Sequence, residues 1–357
     1  MSSPAELRAL VETLAHEQGF ANVGVCDAEA TNYREEVVSW LGRGSHGTMG
    51  YLSKRLEERL DPTVYVPEAR SIICVADRYA DGTRDRVAPS GELRGRIARY
   101  ARGRDYHKVL KKRLIKMARS LGDRAPTSTF RVAVDTAPLL EREHAARAGL
   151  GLIGKNTLLI EPSVGSWVLL GAIVSTEKIT PTTPSFTQSD PCGSCTRCID
   201  ACPTDAITPF SVDATKCIAY TSIEHRDVID ESMATATGKW LFGCDICQEV
   251  CPHNAKPKRR TGPSVYEAYE SDRSDFDLLE VLNWDEDARM KALMGTAAKR
   301  ASLAMWKRNA IICAANIVRE EADHPAAKRL RDRLTDLAND PSEDSIVRLQ
   351  AAQALGT

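Results

Sequence analysis

Apolar and polar positions along the first half of the chain follow two periods. Leu7, Leu10, Val11 and Leu14 recur at helical spacing behind Ser3-Pro4-Ala5-Glu6, a capping box with proline at the first helical position. Residues 4–18 are therefore expected to form an amphipathic helix. Residues 21–26, 71–76, 130–135 and 167–174 are short apolar runs that read as buried strands. Residues 37–41 end a second helix before a glycine-rich turn at 42–50. Residues 105–120 predict a strongly basic helix and 141–150 a further helix. Helices alternating with short strands through residue 175 predict an α/β (α+β) domain. Thr180-Pro181-Thr182-Thr183-Pro184 reads as a linker into a second module, residues 185 to about 255. Lys256-Pro257-Lys258-Arg259-Arg260 opens a basic, turn-rich linker out of it. From about residue 275 the pattern is helical, with apolar spacing over 301–317 and 326–337 and another helix-start box at Asp340-Pro341-Ser342-Glu343. That pattern fits paired helices of a short solenoid and equally a plain helical bundle.

The middle module carries the sharpest signal. It reads Cys192-x2-Cys195-x2-Cys198-x3-Cys202-Pro203, then Cys217, then Cys244-x2-Cys247-x3-Cys251-Pro252. The first run is the bacterial ferredoxin signature, whose fourth cysteine serves the other cluster in two-cluster proteins. The second run lacks its first cysteine, and Cys217 stands in for it. Eight thiolates then make two [4Fe–4S] sites: Cys192, Cys195, Cys198 and Cys251 in one, Cys202, Cys217, Cys244 and Cys247 in the other. Two zinc sites would also use eight cysteines, but three at two-residue intervals followed by Cys-Pro are foreign to zinc motifs. Disulfides fit a secreted chain, and nothing marks this one as secreted. Cys26, Cys74 and Cys313 lie in apolar runs and read as small buried hydrophobes.

A length of 357 residues accommodates two or three domains. The formal net charge of -1 gives no global field toward a polyanion, so local asymmetry matters more. No stretch of about 18 apolar residues suggests a membrane span. The opening residues lack a basic, apolar or twin-arginine leader pattern, so a cytoplasmic protein is expected.

Two [4Fe–4S] clusters carry single electrons and need a terminal acceptor. The sequence around them is too long for a free-standing ferredoxin, which implies a second redox cofactor in the N-terminal domain. No G-x-G-x-x-G follows a strand and no G-x4-G-K-[ST] occurs, so neither a Rossmann nor a P-loop nucleotide is indicated. Asp135 closes an apolar strand and precedes Thr136-Ala137-Pro138. A carboxyl there is expected to have a raised pKa and suit a general acid, the alternative being a helix cap. His107 reads either as a metal ligand or, more simply, as a capping or hydrogen-bonded histidine. The run of arginine and lysine from Arg99 to Arg119 points to an anionic partner, or to a solvated helix face. Lys299, Arg300, Lys307 and Arg308 near Trp306 form a second basic set. Aromatic residues make up only 6%, which argues against an extended stacking surface for single strands.

Several segments together resemble one family, the epoxyqueuosine reductases, cobalamin-dependent iron–sulfur enzymes that complete queuosine in tRNA. They are Arg99-Tyr100-Ala101-Arg102-Gly103-Arg104-Asp105-Tyr106-His107, Val134-Asp135-Thr136-Ala137-Pro138, Gly149-Leu150-Gly151-Leu152-Ile153-Gly154-Lys155-Asn156, Thr221-Ser222-Ile223-Glu224-His225-Arg226, and Gly243-Cys244-Asp245-Ile246-Cys247-Gln248-Glu249-Val250-Cys251-Pro252. The resemblance runs from about residue 5 to 320. It implies a cobalamin-binding domain like that of reductive dehalogenases over 1–180 and a ferredoxin-like dicluster module over 181–260. It also implies an all-α, HEAT-like, tRNA-binding domain over 261–357. Cobalamin would bind base-off, with no protein ligand beneath cobalt. Arg59, Tyr100, Asp135, Lys155, Asn156, Gly243 and Asp245 would be cofactor-binding, and Asp135 the proton donor. His225, Arg226, Lys299, Arg300, Lys307 and Arg308 would contact tRNA. Two departures stand out. Ala98 occupies a place where some members carry a cysteine near cobalt, and residues 295–300 and 307–309 keep only part of the family pattern.

The resemblance further implies a monomer that reduces epoxyqueuosine at the wobble position of tRNA with a GUN anticodon. Electrons would pass from an external ferredoxin- or flavodoxin-type donor through both clusters to cobalt, and Asp135 would protonate the departing oxygen. An anticodon loop is unpaired, so turning the modified base outward is cheap. The alternatives are a reductive dehalogenase of a small molecule, a non-catalytic electron carrier or cobalamin activase, and a zinc-stabilised nucleic-acid-binding module.

Overall fold

The structure, a computed structural model, describes residues 2–83, 93–184, 190–254, 264–321 and 325–356. The basic stretch Lys256, Lys258, Arg259 and Arg260 lies outside the described residues. Helix α1 (Pro4–Glu17) starts as expected, with Ser3 and Glu6 closing a reciprocal capping box. Strand β1 (Asn22–Asp27) follows, then α2 (Arg34–Gly42), three short helices α3 (Tyr51–Lys54), α4 (Leu56–Leu60) and α5 (Pro62–Tyr65), and β2 (Ser71–Arg78). Strand β3 (Arg94–Ile97), α6 (Tyr106–Arg124), β4 (Phe130–Ala133), α7 (Glu141–Arg147), the hairpin β5 (Leu152–Ile153) and β6 (Leu159–Ile160), and β7 (Val168–Ser175) complete the first part.

These strands build a four-stranded sheet in the order β1-β2-β7-β4, every neighbouring pair antiparallel. All eight residues of β2 are buried because both faces are covered. Ile73 and Val75 point toward α1 and α6, where Leu7, Val11, Leu110, Leu114 and Met117 receive them. Ile72, Cys74 and Ala76 point the other way, against Ala145 and Ala148 at α7. The alternation of strand side chains thus fills two cores with one sheet, an α+β arrangement. The segment expected to be a linker does more than connect. Thr182 donates its backbone N–H to the Val25 carbonyl, and its hydroxyl accepts from the Val25 N–H, covering the β1 edge.

The middle stretch holds α8 (Arg197–Asp200), the hairpin β8 (Ile207–Thr208) and β9 (Ser211–Val212), α9 (Ile218–Ile223), α10 (Glu231–Thr237), β10 (Trp240–Phe242) and α11 (Ile246–Glu249). It closes onto the glycine-rich turn of the first part. The Tyr220 hydroxyl accepts from the Thr48 N–H, and a Cβ at Gly47 (φ +56°) would lie 2.3 Å from that oxygen, so only glycine fits. The last stretch contains β11 (Asp275–Asp277), α12 (Leu278–Leu282), α13 (Glu286–Ala292), α14 (Leu303–Glu320), α15 (Pro325–Asn339) and α16 (Ser345–Leu355). Helix α16 begins later than its expected start box. Asp344 caps it, while Asp340 is spent on a turn with Ser342.

A second sheet ties the three stretches together. Strand β3 pairs in parallel with β10 and antiparallel with β11. The core beneath it spans Leu93 and Ile97, Leu241 and Phe242, and Leu278, Trp284 and Trp306. Trp306 is fully buried, stacked on Phe242 at 5.3 Å and edge-on to Phe276 at 5.5 Å. Helices α14, α15 and α16 pack mutually, and α14 is enclosed on all sides. Among the described residues no helix is long and apolar enough to cross a membrane.

Candidate active site and cluster centres

The chain leaves β4 through Val134 and turns at Asp135, which sits in the left-handed region (φ +49°). Aspartate tolerates this conformation better than most residues, yet it costs energy and marks a position held by its surroundings. Three groups hold it. Glu141, at the start of α7, accepts the Asp135 N–H at 2.6 Å. His107 Nε2 meets the Asp135 carboxylate at 2.7 Å. His107 Nδ1 is engaged at 2.8 Å by Asp105, which also caps α6 by accepting the His107 N–H. Tyr106 stacks on the His107 ring with centroids 4.0 Å apart, and Tyr100 packs edge-on to Tyr106.

The expectation of a protonated Asp135 is corrected here. Burial raises its pKa, but the hydrogen bond and charge of His107 outweigh that, and the net shift is downward. The same balance acts in reverse on His107. Burial disfavours its charge, yet Asp135 and Asp105 overcome that and raise its pKa. Of the two groups, the imidazole is therefore the one that holds the proton. Neither is Asp135 a helix cap, since α7 starts at Glu141 with Leu140 at its N-cap and no side-chain cap. Glu141 is the acid kept neutral instead. Burial first, then the Asp135 charge, pushes its pKa up to about 8. His107 is confirmed as a hydrogen-bonded histidine. With both nitrogens engaged by carboxylates it has no lone pair for a metal.

Around this pair stand cations. Arg300 bonds Glu224 at 2.6 Å, lies 5.9 Å over the Tyr51 ring and acts electrostatically on Asp135. Arg59 is partly buried and its Nε is enclosed. Among the described residues its guanidinium has no hydrogen-bond or ion-pair partner, and burial lowers its pKa. An unpaired, half-buried cation costs free energy that an anionic or polar ligand would recover. A cleft of about 770 Å³ lined by Arg94, Asp275, Trp284 and Lys291 shares no residue with this site.

The eight cysteines of the two expected sets lie near enough to one another for their charges to interact. Cys198 lies within reach of Cys192 and Cys195, and Cys251 of Cys192 and Cys198. Cys217 neighbours Cys202, Cys244 neighbours Cys247 and Cys217, and Cys247 neighbours Cys217 and Cys202. Cys247 and Cys198 are where the sets approach each other.

The other expected site residues divide sharply. Lys155 faces the first cysteine set: its N–H lies 3.3 Å from Cys192 Sγ, and its Nζ donates to the carbonyls of Gly193 and Cys195. Asn156 is buried and accepts from the Leu158 N–H. The turn continues through Thr157 (φ +65°), an unusual conformation for a β-branched residue that Arg142 braces through two hydrogen bonds. Gly243 (φ +68°) lets β10 run against Ala98, where a Cβ would come within 2.6 Å. Asp245 is buried, accepts the Arg99 N–H at 2.8 Å and so fixes the turn bearing Tyr100. Burial, above all, pushes its pKa up to about 6.

Of the expected tRNA contacts, Lys299 and Arg300 are exposed. Arg226 reaches Met305 Sδ, and His225 packs beside Tyr220. Lys307 and Arg308 are corrected. Lys307 is buried in a pair with Glu343 at 2.5 Å. Arg308 is fully buried and donates to the carbonyls of Thr221, His225 and Asp227 and to Asn309 Oδ1. A guanidinium with its donors consumed inside cannot reach a phosphate. Sequence reasoning overlooked Glu141 and Asp105. Asp105 was findable, because an aspartate two residues before a histidine at a helix start can cap and orient it.

Comparison with known proteins accords with this geometry. A family model described as 4Fe-4S double cluster binding domain matches residues 191–254, and one described as epoxyqueuosine reductase QueG matches residues 59–136. The chain is 38% identical to an epoxyqueuosine reductase of Xanthomonas campestris over 86% of each sequence. It is 34% identical to that of Alicycliphilus denitrificans over 99% of each. A crystal structure of epoxyqueuosine reductase with an epoxyqueuosine-modified stem loop of tyrosine tRNA superposes with a TM-score of 0.87 at 27% identity, covering 98% of this chain and 90% of that one. A Bacillus subtilis epoxyqueuosine reductase whose aspartate-bearing catalytic loop is swung out of the active site gives 0.86 at 25%, with the same coverage. Sequence identity over nearly the whole length, the double-cluster match and the shared fold place this chain in the epoxyqueuosine reductase family.

Proposed function

We propose that this protein reduces epoxyqueuosine to queuosine at the wobble position of tRNA with a GUN anticodon. The observation that carries the proposal is the Asp105–His107–Asp135 relay, held at a strained loop beside an unpartnered Arg59. The relay stands in a chain whose residues 191–254 match a 4Fe-4S double cluster binding domain, and the proposed ligands are Cys192, Cys195, Cys198 and Cys251 for one cluster and Cys202, Cys217, Cys244 and Cys247 for the other. Removal of the epoxide oxygen takes two electrons and two protons, yielding an alkene and water. Base-off cobalamin is the proposed second cofactor: Arg59, whose guanidinium has no partner among the described residues, would help to hold it, and when bound it would supply the two-electron reducing chemistry at carbon.

The chain's own residues relay the two protons, the imidazole being reprotonated from solvent between them. In this reading His107 holds each proton, and the 2.7 Å contact lets Asp135 take it and pass it to the oxygen as a C–O bond breaks. Asp105 keeps the imidazole oriented and stabilises its charge. Protonated Glu141 fixes the loop through the Asp135 N–H without adding a second negative charge. Tyr106 stacks on the imidazole and Tyr100 packs edge-on to Tyr106, so the two rings hold His107 against Asp135.

In this reading residues 1–180 form the cobalamin-binding part, 181–260 the dicluster module, and 261–357 a HEAT-like helical part that helps to hold tRNA. Strand β3 contributes to the core of the last as well as joining the first. Exposed Lys299 and Arg300 at the mouth of the site would meet the anticodon loop. A ferredoxin- or flavodoxin-type donor, a monomeric state and a cytoplasmic location complete the proposal. Anaerobic incubation of a stem–loop bearing epoxyqueuosine, with nucleosides read by mass, tests it. Conversion should require reconstituted clusters and added cobalamin together; conversion without either one would contradict the cofactor assignment.

A further inference from the structure

We infer that the outward face of α6 is a rail for the phosphate backbone of the anticodon stem. The inference rests on the tRNA reading above and says where the duplex beyond the loop lies. Helix α6 buries Leu110, Leu114, Met117 and Leu121 against the sheet. At 100° per residue the opposite face carries Lys108, Lys111, Lys112, Lys116 and Arg119, with Arg104 just ahead of the helix, and all six are exposed.

An ordinary solvated helix face intersperses acids that pair with such cations at i+3 or i+4. This one does not: the sole acid in α6 is Asp123, beyond the cationic row. Among the described residues none of the six makes a side-chain hydrogen bond or ion pair. Exposed cations elsewhere do, as in Arg34–Glu57, Arg55–Glu58 and Lys178–Asp27. In a chain of formal net charge -1 this is a local field, not a global one.

Position makes it a substrate surface. The first turn of α6 carries His107 and is capped by Asp105, both in the Asp135 relay. The row therefore starts at the reacting site and extends about 16 Å from Lys108 to Arg119, at about 1.5 Å per residue. A wobble base delivered to Asp135 leaves its stem to run away from the site. A double-stranded RNA is held by its phosphates, not read by sequence, and lysines on a rigid helix suit that task.

The test is binding, independent of catalysis. Fluorescence anisotropy would compare the unsubstituted full-length protein with K108Q/K111Q/K112Q/K116Q on two probes: an anticodon stem–loop and its loop alone as a single strand. The rail predicts that the variant binds the stem–loop at least about tenfold more weakly at low salt, with the slope of log K against log salt shallower by about three. Its affinity for the loop alone, and its melting temperature, should stay unchanged. The corresponding fourfold lysine-to-arginine variant should keep the full slope. An unchanged slope and affinity in the glutamine variant would overturn the rail and leave the tRNA reading standing. Absence of saturable stem–loop binding by the unsubstituted protein would overturn both.

Discussion

At the scale of single residues, the proposed reacting centre divides protonation between neighbours. Asp135 is held ionised by His107, His107 is held charged by two carboxylates, and Glu141 stays neutral in a recessed position. The sign of each shift fixes a pH dependence. A raised histidine pKa stabilises the fold below the ordinary histidine value, and that contribution is lost as pH rises through the folded value. A depressed aspartate pKa contributes above the ordinary value and is lost as pH falls through the folded one. The charged pair therefore persists over a pH window wider at both ends than the ordinary aspartate and histidine values bracket. Turnover should fall on the alkaline side as His107 loses its proton, and H107N should abolish that limb while lowering the rate about 100-fold or more. A pH–rate profile with an unaltered alkaline limb in H107N would assign the proton elsewhere. Glu141 behaves oppositely: its raised pKa costs stability progressively from the ordinary carboxyl value up to about pH 8. E141Q keeps a neutral acceptor for the Asp135 N–H, so its melting temperature should exceed that of the unsubstituted protein at pH 8 and match it more closely at pH 5. Thermal melts at the two pH values check this.

At the scale of elements, the same residue types do different work depending on what encloses them. Helix α14 is surrounded, so its basic residues serve the interior. R308M should lose about 3 kcal/mol or more of stability in chemical denaturation, since several buried carbonyls lose their donor. Its stem–loop affinity should remain unchanged once folded. R300Q, on the exposed turn beside Tyr51, should do the reverse. In the proposed ligand assignment, Cys217 completes the second set from a distant position in the dicluster stretch. C217A should retain about four of the expected eight iron atoms per chain, measured by iron analysis after anaerobic reconstitution. Retention of all eight would contradict the ligand assignment. Much of this was legible in the sequence because it is local. The capping box at Ser3, the apolar run of β2 and the cysteine spacing each declare their structure within a few residues. Lys307 and Arg308 misled because charge at helical spacing does not reveal whether a helix is enclosed on every side. Asp135 misled because its pKa is set by His107, 28 positions away in the chain.

At the scale of the whole molecule, the three stretches are interlocked rather than strung together. The sheet β10-β3-β11 takes one strand from each, and the Tyr100 turn at its end is fixed by Asp245 from the dicluster stretch. Placing the cysteine sets and the Asp135 loop on one packed body gives the proposed electron carriers and the proton donor a fixed mutual geometry. That arrangement was not readable from composition or periodicity, because β3 and β11 are short and their pairing is long-range. The most direct measurement is single-turnover conversion of an epoxyqueuosine-bearing stem–loop under anaerobic conditions. It would use reconstituted clusters, added cobalamin and a chemical reductant, and compare the unsubstituted protein with D135N. The proposed function predicts loss of one oxygen mass from the nucleoside with the unsubstituted protein, and a rate at least about 100-fold lower in D135N with stem–loop binding retained. No conversion by a protein carrying both clusters and bound cobalamin would contradict the proposed function, and an undiminished rate in D135N would remove Asp135 from the chemistry.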